Sequence, residues 1–314
     1  MKSPSAPSFR HWSGRRVLVT GHRGFIGASL SQRLLEAGAN LHGVSRSEDG
    51  VDASNFPIVR CDLSHSEDCR RAITQTQPDC IIHLAGHPFA ARNLERVLPT
   101  LRDNLVATVN LLAAAAEVRT GRVLITGSLE EPNVDVDPAP SSPYAASKWA
   151  ASVYARMFHR IYSLPVVIAR LFMVYGPGQS EPTKLIPSVI AALSRGQAPQ
   201  ISSGERLVDW VYIDDVVTGM LIAAETDGLD GRTIDIGTGV LTTVSDVVRQ
   251  LATLFPGAPP PLFGSVESRA FEQIRAADIK TTRQALNWVP RINLSEGLAA
   301  TVAGARAAQY SASP

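Results

Sequence analysis

From Val17 onward the chain alternates short apolar runs with amphipathic stretches of helical period. Val17–Thr20 is β-branched and apolar and ends in a glycine loop, and Ala28–Ala37 follows with apolar residues three and four apart until Gly38. The same reading gives strands at Leu41–Ser45, Pro57–Cys61, Cys80–Ala85, Val123–Thr126 and Val166–Leu171. It gives helices over residues 66–76, Asn104–Val118 and Pro143–Tyr162. Strands separated by helices of this length predict parallel βαβ units. The expected fold is therefore α/β, a Rossmann-type doubly wound parallel sheet.

After residue 172 the alternation loosens. Pro177, Pro182, Pro187 and Pro199 break the chain into short segments, and Pro256–Pro261 reads as a hinge. A smaller, irregular C-terminal substrate lobe over residues 173–314 is expected, covering the carboxyl edge of a dinucleotide-binding domain at 15–172. The chain is expected to rejoin that domain at about 210–240, and residues 1–14 read as a flexible tail.

Composition narrows the function. A formal net charge of +1, with no basic run longer than two residues, gives no concentrated basic face for nucleic acid or an anionic membrane. No apolar run approaches a membrane span and the start has no secretory pattern, so a cytoplasmic protein is expected. Cys61, Cys69 and Cys80 are too few for a disulfide framework. Cys61, His65 and Cys69 do not fall on one helical face, because Asp62–Ser64 reads as a turn, so no metal site is expected.

The candidate chemistry begins at Thr20-Gly21-His22-Arg23-Gly24-Phe25-Ile26-Gly27, between the first strand and its helix. Glycines there give a tight turn, room for a pyrophosphate and close helix–strand packing. At the end of the second strand, where an acidic residue would accept from the ribose of NAD, stand Ser45 and Arg46. With Arg23 they favour the 2′-phosphate of NADP, and NAD is the alternative. Asp62, after the third strand, is a candidate for the adenine amino group or a helix cap.

Pro143 opens a helix on which Tyr144 and Lys148 are four residues apart, and so on one face. A phenol is a poor base at neutral pH, and a neighbouring ammonium, with the cationic nicotinamide, would move its pKa towards the working range. Ser128, closing the fifth strand, would emerge at the same sheet edge and hold a substrate oxygen. Tyr144, Lys148 and Ser128 are the expected catalytic set.

These segments together resemble the extended short-chain dehydrogenases/reductases, the nucleotide-sugar epimerase, dehydratase and ketoreductase group. The resemblance rests on TGHRGFIG, CDL at 61–63, HLAG at 83–86, Asn104, Ser128 and YAASK. It extends through RLFMVYGPGQ at 170–179, LIP at 185–187, VDWVYIDDV at 208–216 and ALNWVP at 285–290. It implies hydride exchange between nicotinamide and a sugar carbon, with Tyr144 as acid/base. It adds Leu63, Leu84, Ala85, Gly86 and Asn104 as cofactor contacts, alongside Phe25 and Ile26. His87, Ser128, Glu130, Met173, Arg206 and Arg269 become candidate contacts to a nucleotide-sugar substrate. It also implies a homodimer pairing the helices at Asn104–Val118 and Pro143–Tyr162.

Three positions depart from the group's pattern. Met173 stands where an Asn usually precedes YGP, and Val208 where an Arg usually precedes Asp. Arg206 and Arg269 are the candidates to supply the missing phosphate contact. Leu129 replaces the acidic or polar residue that 4,6-dehydratases carry before Glu. The expected activity is reduction of a keto group on a nucleotide-activated deoxysugar. The alternatives are an epimerase with tightly bound NAD, then a 4,6-dehydratase or an inactive nucleotide sensor.

Overall fold

The strand order follows from which runs are apolar on both faces. In the computed structural model, which describes residues 10–47, 50–90, 92–133, 135–136, 138–268 and 270–312, β1 (Arg16–Thr20) is fully buried from Val17 onward. It lies between β2 (Asn40–Ser45) and β5 (Cys80–His83), parallel to both. β4 (Pro57–Arg60) pairs with β2 and β6 (Val123–Ser128) with β5, again in parallel. Among the described residues one sheet holds eight strands. β7 (Val166–Leu171) and β11 (Thr233–Ile236) lie beyond β6, and β3 (Gly50–Val51) is an antiparallel edge beside β4. The order β4-β2-β1-β5-β6-β7 reverses direction between β1 and β5, the switch point where doubly wound sheets bind ligands at the strands' carboxyl ends.

The chain divides into two compact units. The first comprises residues up to Thr126, Ala150–Ile168 and Ala223–Arg232; the second comprises Gly127–Trp149, Ala169–Ile222 and Thr233 onward. The second unit begins at Gly127, within β6, and includes the start of the following helix.

In the first unit α1 (Phe25–Glu36), α2 (Ser66–Thr76) and α4 (Ala107–Glu117) cover the sheet. Leu111, Leu112 and Ala115 of α4 pack with Ile73 of α2 and with Leu18, Ile81 and Ile125 of the strands in one apolar core. The helix expected from Asn104 begins earlier. α3 (Val97–Thr100) carries Pro99 in its first turns, and a wider π-helical stretch, Leu101–Val106, joins it to α4. The expected tail also ends before residue 14. Trp12 is wholly buried beneath Arg15, and the Gly14 N–H donates to the Gly38 carbonyl at 2.8 Å. Residues 1–9 lie outside the described residues.

In the second unit β8 (Met173–Tyr175), β10 (Leu207–Tyr212) and β12 (Leu241–Thr243) form a three-stranded sheet, and β9 (Gln200–Ile201) pairs with β13 (Leu262–Phe263). The prolines separate short elements, among them α6 (Leu185–Ser194), α8 (Val244–Thr253), α9 (Ile279–Leu286) and α10 (Leu294–Ala312). Asp209, wholly buried on β10, gathers the loops around it. It accepts the N–H groups of Thr238 (2.8 Å), Gly239 (2.8 Å) and Ala277 (2.9 Å) and the Thr238 hydroxyl (2.6 Å).

Candidate functional site

The first unit carries the residues expected to hold a cofactor. A Cβ at Gly21 would meet the Ala85 nitrogen at 2.7 Å, and one at Gly27 would meet the Gly21 carbonyl oxygen at 2.0 Å. Only glycine fits either place. Gly24 is the N-cap of α1; no side chain caps the helix, and no acidic residue lies in its first turn, formed by Phe25 and Ile26. Its free N–H groups suit a bound anion, so the loop fits the pyrophosphate of a dinucleotide. Across the switch point, Thr20 ties β1 to β5. Its carbonyl accepts Leu84 N–H (3.1 Å), and its hydroxyl accepts Ala85 N–H (3.1 Å) and lies 2.7 Å from His83 Nδ1. His83 Nε2 reaches the Thr108 hydroxyl at 2.9 Å. Asn104, in the π-helical turn and buried, grips the following loop: it accepts His87 N–H (2.6 Å) and donates to the His87 carbonyl (3.2 Å). The buried oxygen of Asn104 also leaves no room for a side chain at Gly86.

At the adenosine end the arrangement departs from expectation. Arg23 is exposed, but its Nε lies 3.5 Å from Asp52, as does Nε2 of the buried His22. Both ring nitrogens of His22 are buried without a hydrogen bond, and burial lowers its pKa against the opposing pull of Asp52. Ser45 shares its hydroxyl with Ser47 at 3.1 Å, and Arg46 is exposed. Asp62 accepts both the N–H (3.0 Å) and the hydroxyl (2.8 Å) of Ser64. Burial raises its pKa, and the Ser64 bonds outweigh this and hold it below the usual carboxylate range. Its neighbour Leu63 is buried and accepts from Asn110 through its carbonyl at 3.0 Å.

The second unit carries the expected catalytic set. α5 (Pro143–Tyr162) starts where Ser142 accepts Ala145 N–H at 3.1 Å, with Pro143 at its first position. Tyr144 and Lys148 sit one turn apart on it, and Ser128 acts on the Tyr144 hydroxyl in the sense that favours its ionised form. Ser128 Oγ accepts Glu130 N–H at 3.2 Å, so its own proton is left to donate. Burial pushes the Tyr144 phenol up to about 12; Ser128 opposes this, while Glu130 and Glu131 add to it. The raised value belongs to the chain without cofactor, and burial is its largest cause. Lys148 is itself pushed down to about 8 by burial, against the attraction of Glu131.

Glu130 and Arg206 also lie in this unit and are bound to each other. Arg206 donates to Glu130 at 2.8 Å and to Glu272 at 2.9 Å. A guanidinium held by two carboxylates is not an open phosphate ligand, which changes the expected role of Arg206. Met173 is half-buried on β8 opposite Trp210, and Leu129 is buried. Arg269 lies outside the described residues. The sequence reading missed Glu131, which is 2% exposed and accepts Ser128 N–H at 2.9 Å. The signal was present as Ser128-Leu129-Glu130-Glu131, the S-x-x-E spacing of a capping box.

A sequence model described as the NAD dependent epimerase/dehydratase family matches residues 17–237. The chain belongs to this family. A UDP-glucose 4-epimerase of Mycolicibacterium smegmatis is 31% identical over 91% of this chain and 97% of its own length. A dTDP-glucose 4,6-dehydratase of Neisseria gonorrhoeae is 29% identical over 92% and 94%. Among solved structures, MoeE5 in complex with UDP-glucuronic acid and NAD superimposes with a TM-score of 0.83 at 30% identity, covering 93% of this chain and 99% of the other. The UDP-glucose 4-epimerase of Thermotoga maritima with UDP-glucose gives 0.83 at 25% identity, with the same coverage. An NAD-dependent family enzyme with a Rossmann-type sheet is therefore established. Among the described residues no helix is long and apolar enough to cross a membrane, and no group of His, Cys, Asp or Glu forms a metal site.

Proposed function

We propose that this family member catalyses hydride exchange at a carbinol or keto carbon of a nucleotide-activated sugar, working as a keto-sugar reductase. The observation that carries the reading is Tyr144 and Lys148 one turn apart at the start of α5, with Ser128 at the end of β6 acting on the Tyr144 hydroxyl. A bound nicotinamide cofactor supplies or receives the hydride. Ser128, whose oxygen accepts Glu130 N–H, donates its own proton to the substrate oxygen and fixes its position. Tyr144, held as a neutral phenol, gives its proton to that oxygen as the carbonyl is reduced, and Lys148, as an ammonium, stabilises the phenolate left behind. Elimination of water is disfavoured, because Leu129 has no proton to give and Glu130 is engaged by Arg206.

Arg23, Ser45 and Arg46 support NADP. A second reading, epimerisation with retained NAD, is supported by Asp52, whose carboxylate would repel a 2′-phosphate beside Arg23. It is supported also by the NAD found in neighbours such as MoeE5. Denaturing the purified protein and identifying what it releases separates the two. Stoichiometric NAD, with no NADPH consumed on a panel of nucleotide-linked 4-keto sugars, would overturn the reductase reading.

A homodimer is part of the proposal: Leu98, Leu101 and Val106 before and in the helix of Asn104, and Val153, Ile161 and Tyr162 on α5, are left exposed. Sedimentation equilibrium tests it, and a monomer at micromolar concentration would remove it. The reduced, buried state of Cys61, Cys69 and Cys80 supports a cytoplasmic location.

A further inference from the structure

The strand-end turn that presents Ser128 contains a charge that the reaction above does not use. Glu131 is 2% exposed, which for a carboxylate is costly without partners. Its side chain accepts Ser128 N–H at 2.9 Å while its own N–H donates to the Ser128 carbonyl at 3.1 Å. This reciprocal pair closes the turn through the Ser128 backbone and leaves the Ser128 hydroxyl outside it. Its charge bears on Lys148 and Tyr144 of α5 and on Arg275 in the loop before α9, and Glu130 adds a second carboxylate acting on Tyr144.

We propose that Glu131 is a positioning residue for this set: it locks the turn that aims Ser128 and places a buried carboxylate within electrostatic reach of Lys148. The proposal rests on the Ser128–Tyr144–Lys148 reading above. Its chemistry follows from sign. A fixed carboxylate stabilises the cation on Lys148 and disfavours a phenolate on Tyr144, so the resting pair is ammonium and phenol, the proton-donating state. Burial alone would move Lys148 towards the neutral amine, and Glu131 opposes that.

The test needs no substrate. Lys2, Lys148, Lys184 and Lys280 are the only lysines, so a pH titration of full-length protein carrying [13C]lysine resolves each Cε signal, with Lys148→Met giving the assignment. Lys148 should titrate near pH 8 in the native chain. In Glu131→Gln, whose amide oxygen still accepts Ser128 N–H, its midpoint should fall by about one pH unit. Glu131→Asp keeps the charge one methylene further off and should show a smaller fall; it also carries the test if the Gln variant fails to fold. A Lys148 titration unmoved in whichever variant folds would overturn the proposal. Full turnover in Tyr144→Phe would instead remove the catalytic reading and leave this titration as it was.

Discussion

Lys148→Met should make the protein more stable while removing its activity. A lysine ordinarily titrates at 10.5, and here burial brings it down to about 8. At about 1.4 kcal/mol per pH unit, holding that ammonium in the fold costs about 3 kcal/mol, and its partial exposure reduces this to roughly 1–2 kcal/mol. The attraction of Glu131 is already contained in the value of 8. Methionine fills a similar length with an unbranched apolar chain and carries no charge to desolvate. The sign fixes a pH window. Because the folded pKa lies below the unfolded one, the unfolded chain binds the extra proton between pH 8 and 10.5. The native protein therefore gains stability as pH rises through that window and carries the full penalty below it. Urea unfolding of both proteins at about pH 7 and about pH 9.5 reads the difference directly, other titrations being shared. The advantage of Lys148→Met should be roughly 1–2 kcal/mol at the lower pH and less than half of that at the higher. A variant no more stable than the native chain at pH 7, or an advantage that does not shrink, would refute the reasoning.

Two further outcomes follow from the charge pairs. Asp52→Asn removes the carboxylate that would repel a 2′-phosphate beside Arg23, so the affinity for NADP relative to NAD should rise by about two- to fivefold, the worth of an exposed pair, measured by calorimetric titration of each cofactor. An unchanged ratio would separate Asp52 from cofactor choice. Arg206→Met leaves Glu130 and Glu272 largely buried without their cation and should lower stability by about 2–4 kcal/mol in guanidinium unfolding. Adding Glu130→Leu should recover part of the loss, and a single-variant loss under about 0.5 kcal/mol would show the bridge to be ornamental.

The parts of this account legible in the sequence are those decided within one segment. Ser66–Thr76, Pro143–Tyr162 and Val166–Leu171 have the expected boundaries, because apolar periodicity and a proline at the first helical position are local signals. The places of Ser128 at a strand end and of Tyr144 and Lys148 at a helix start were legible for the same reason. α1 begins at Phe25 rather than Ala28, since Gly27 reads as loop, whereas the fold uses it inside the helix where the Gly21 carbonyl approaches.

What was not legible is pairing over distance. Arg206 meets Glu130 and Glu272 across 76 and 66 residues, and Arg23 meets Asp52 from another loop, so their charges looked free. The burial that raises the Tyr144 pKa was not legible either, because it is a tertiary property.

Turnover of Tyr144→Phe tests the central claim most directly. With a nucleotide-linked 4-keto sugar and the cofactor the protein releases on denaturation, the account predicts binding of both within a fewfold of native and a kcat lowered by at least about a hundredfold. The variant should lack only the phenolic proton that Ser128 orders. Native turnover in Tyr144→Phe would contradict the account and move the acid/base role to another residue.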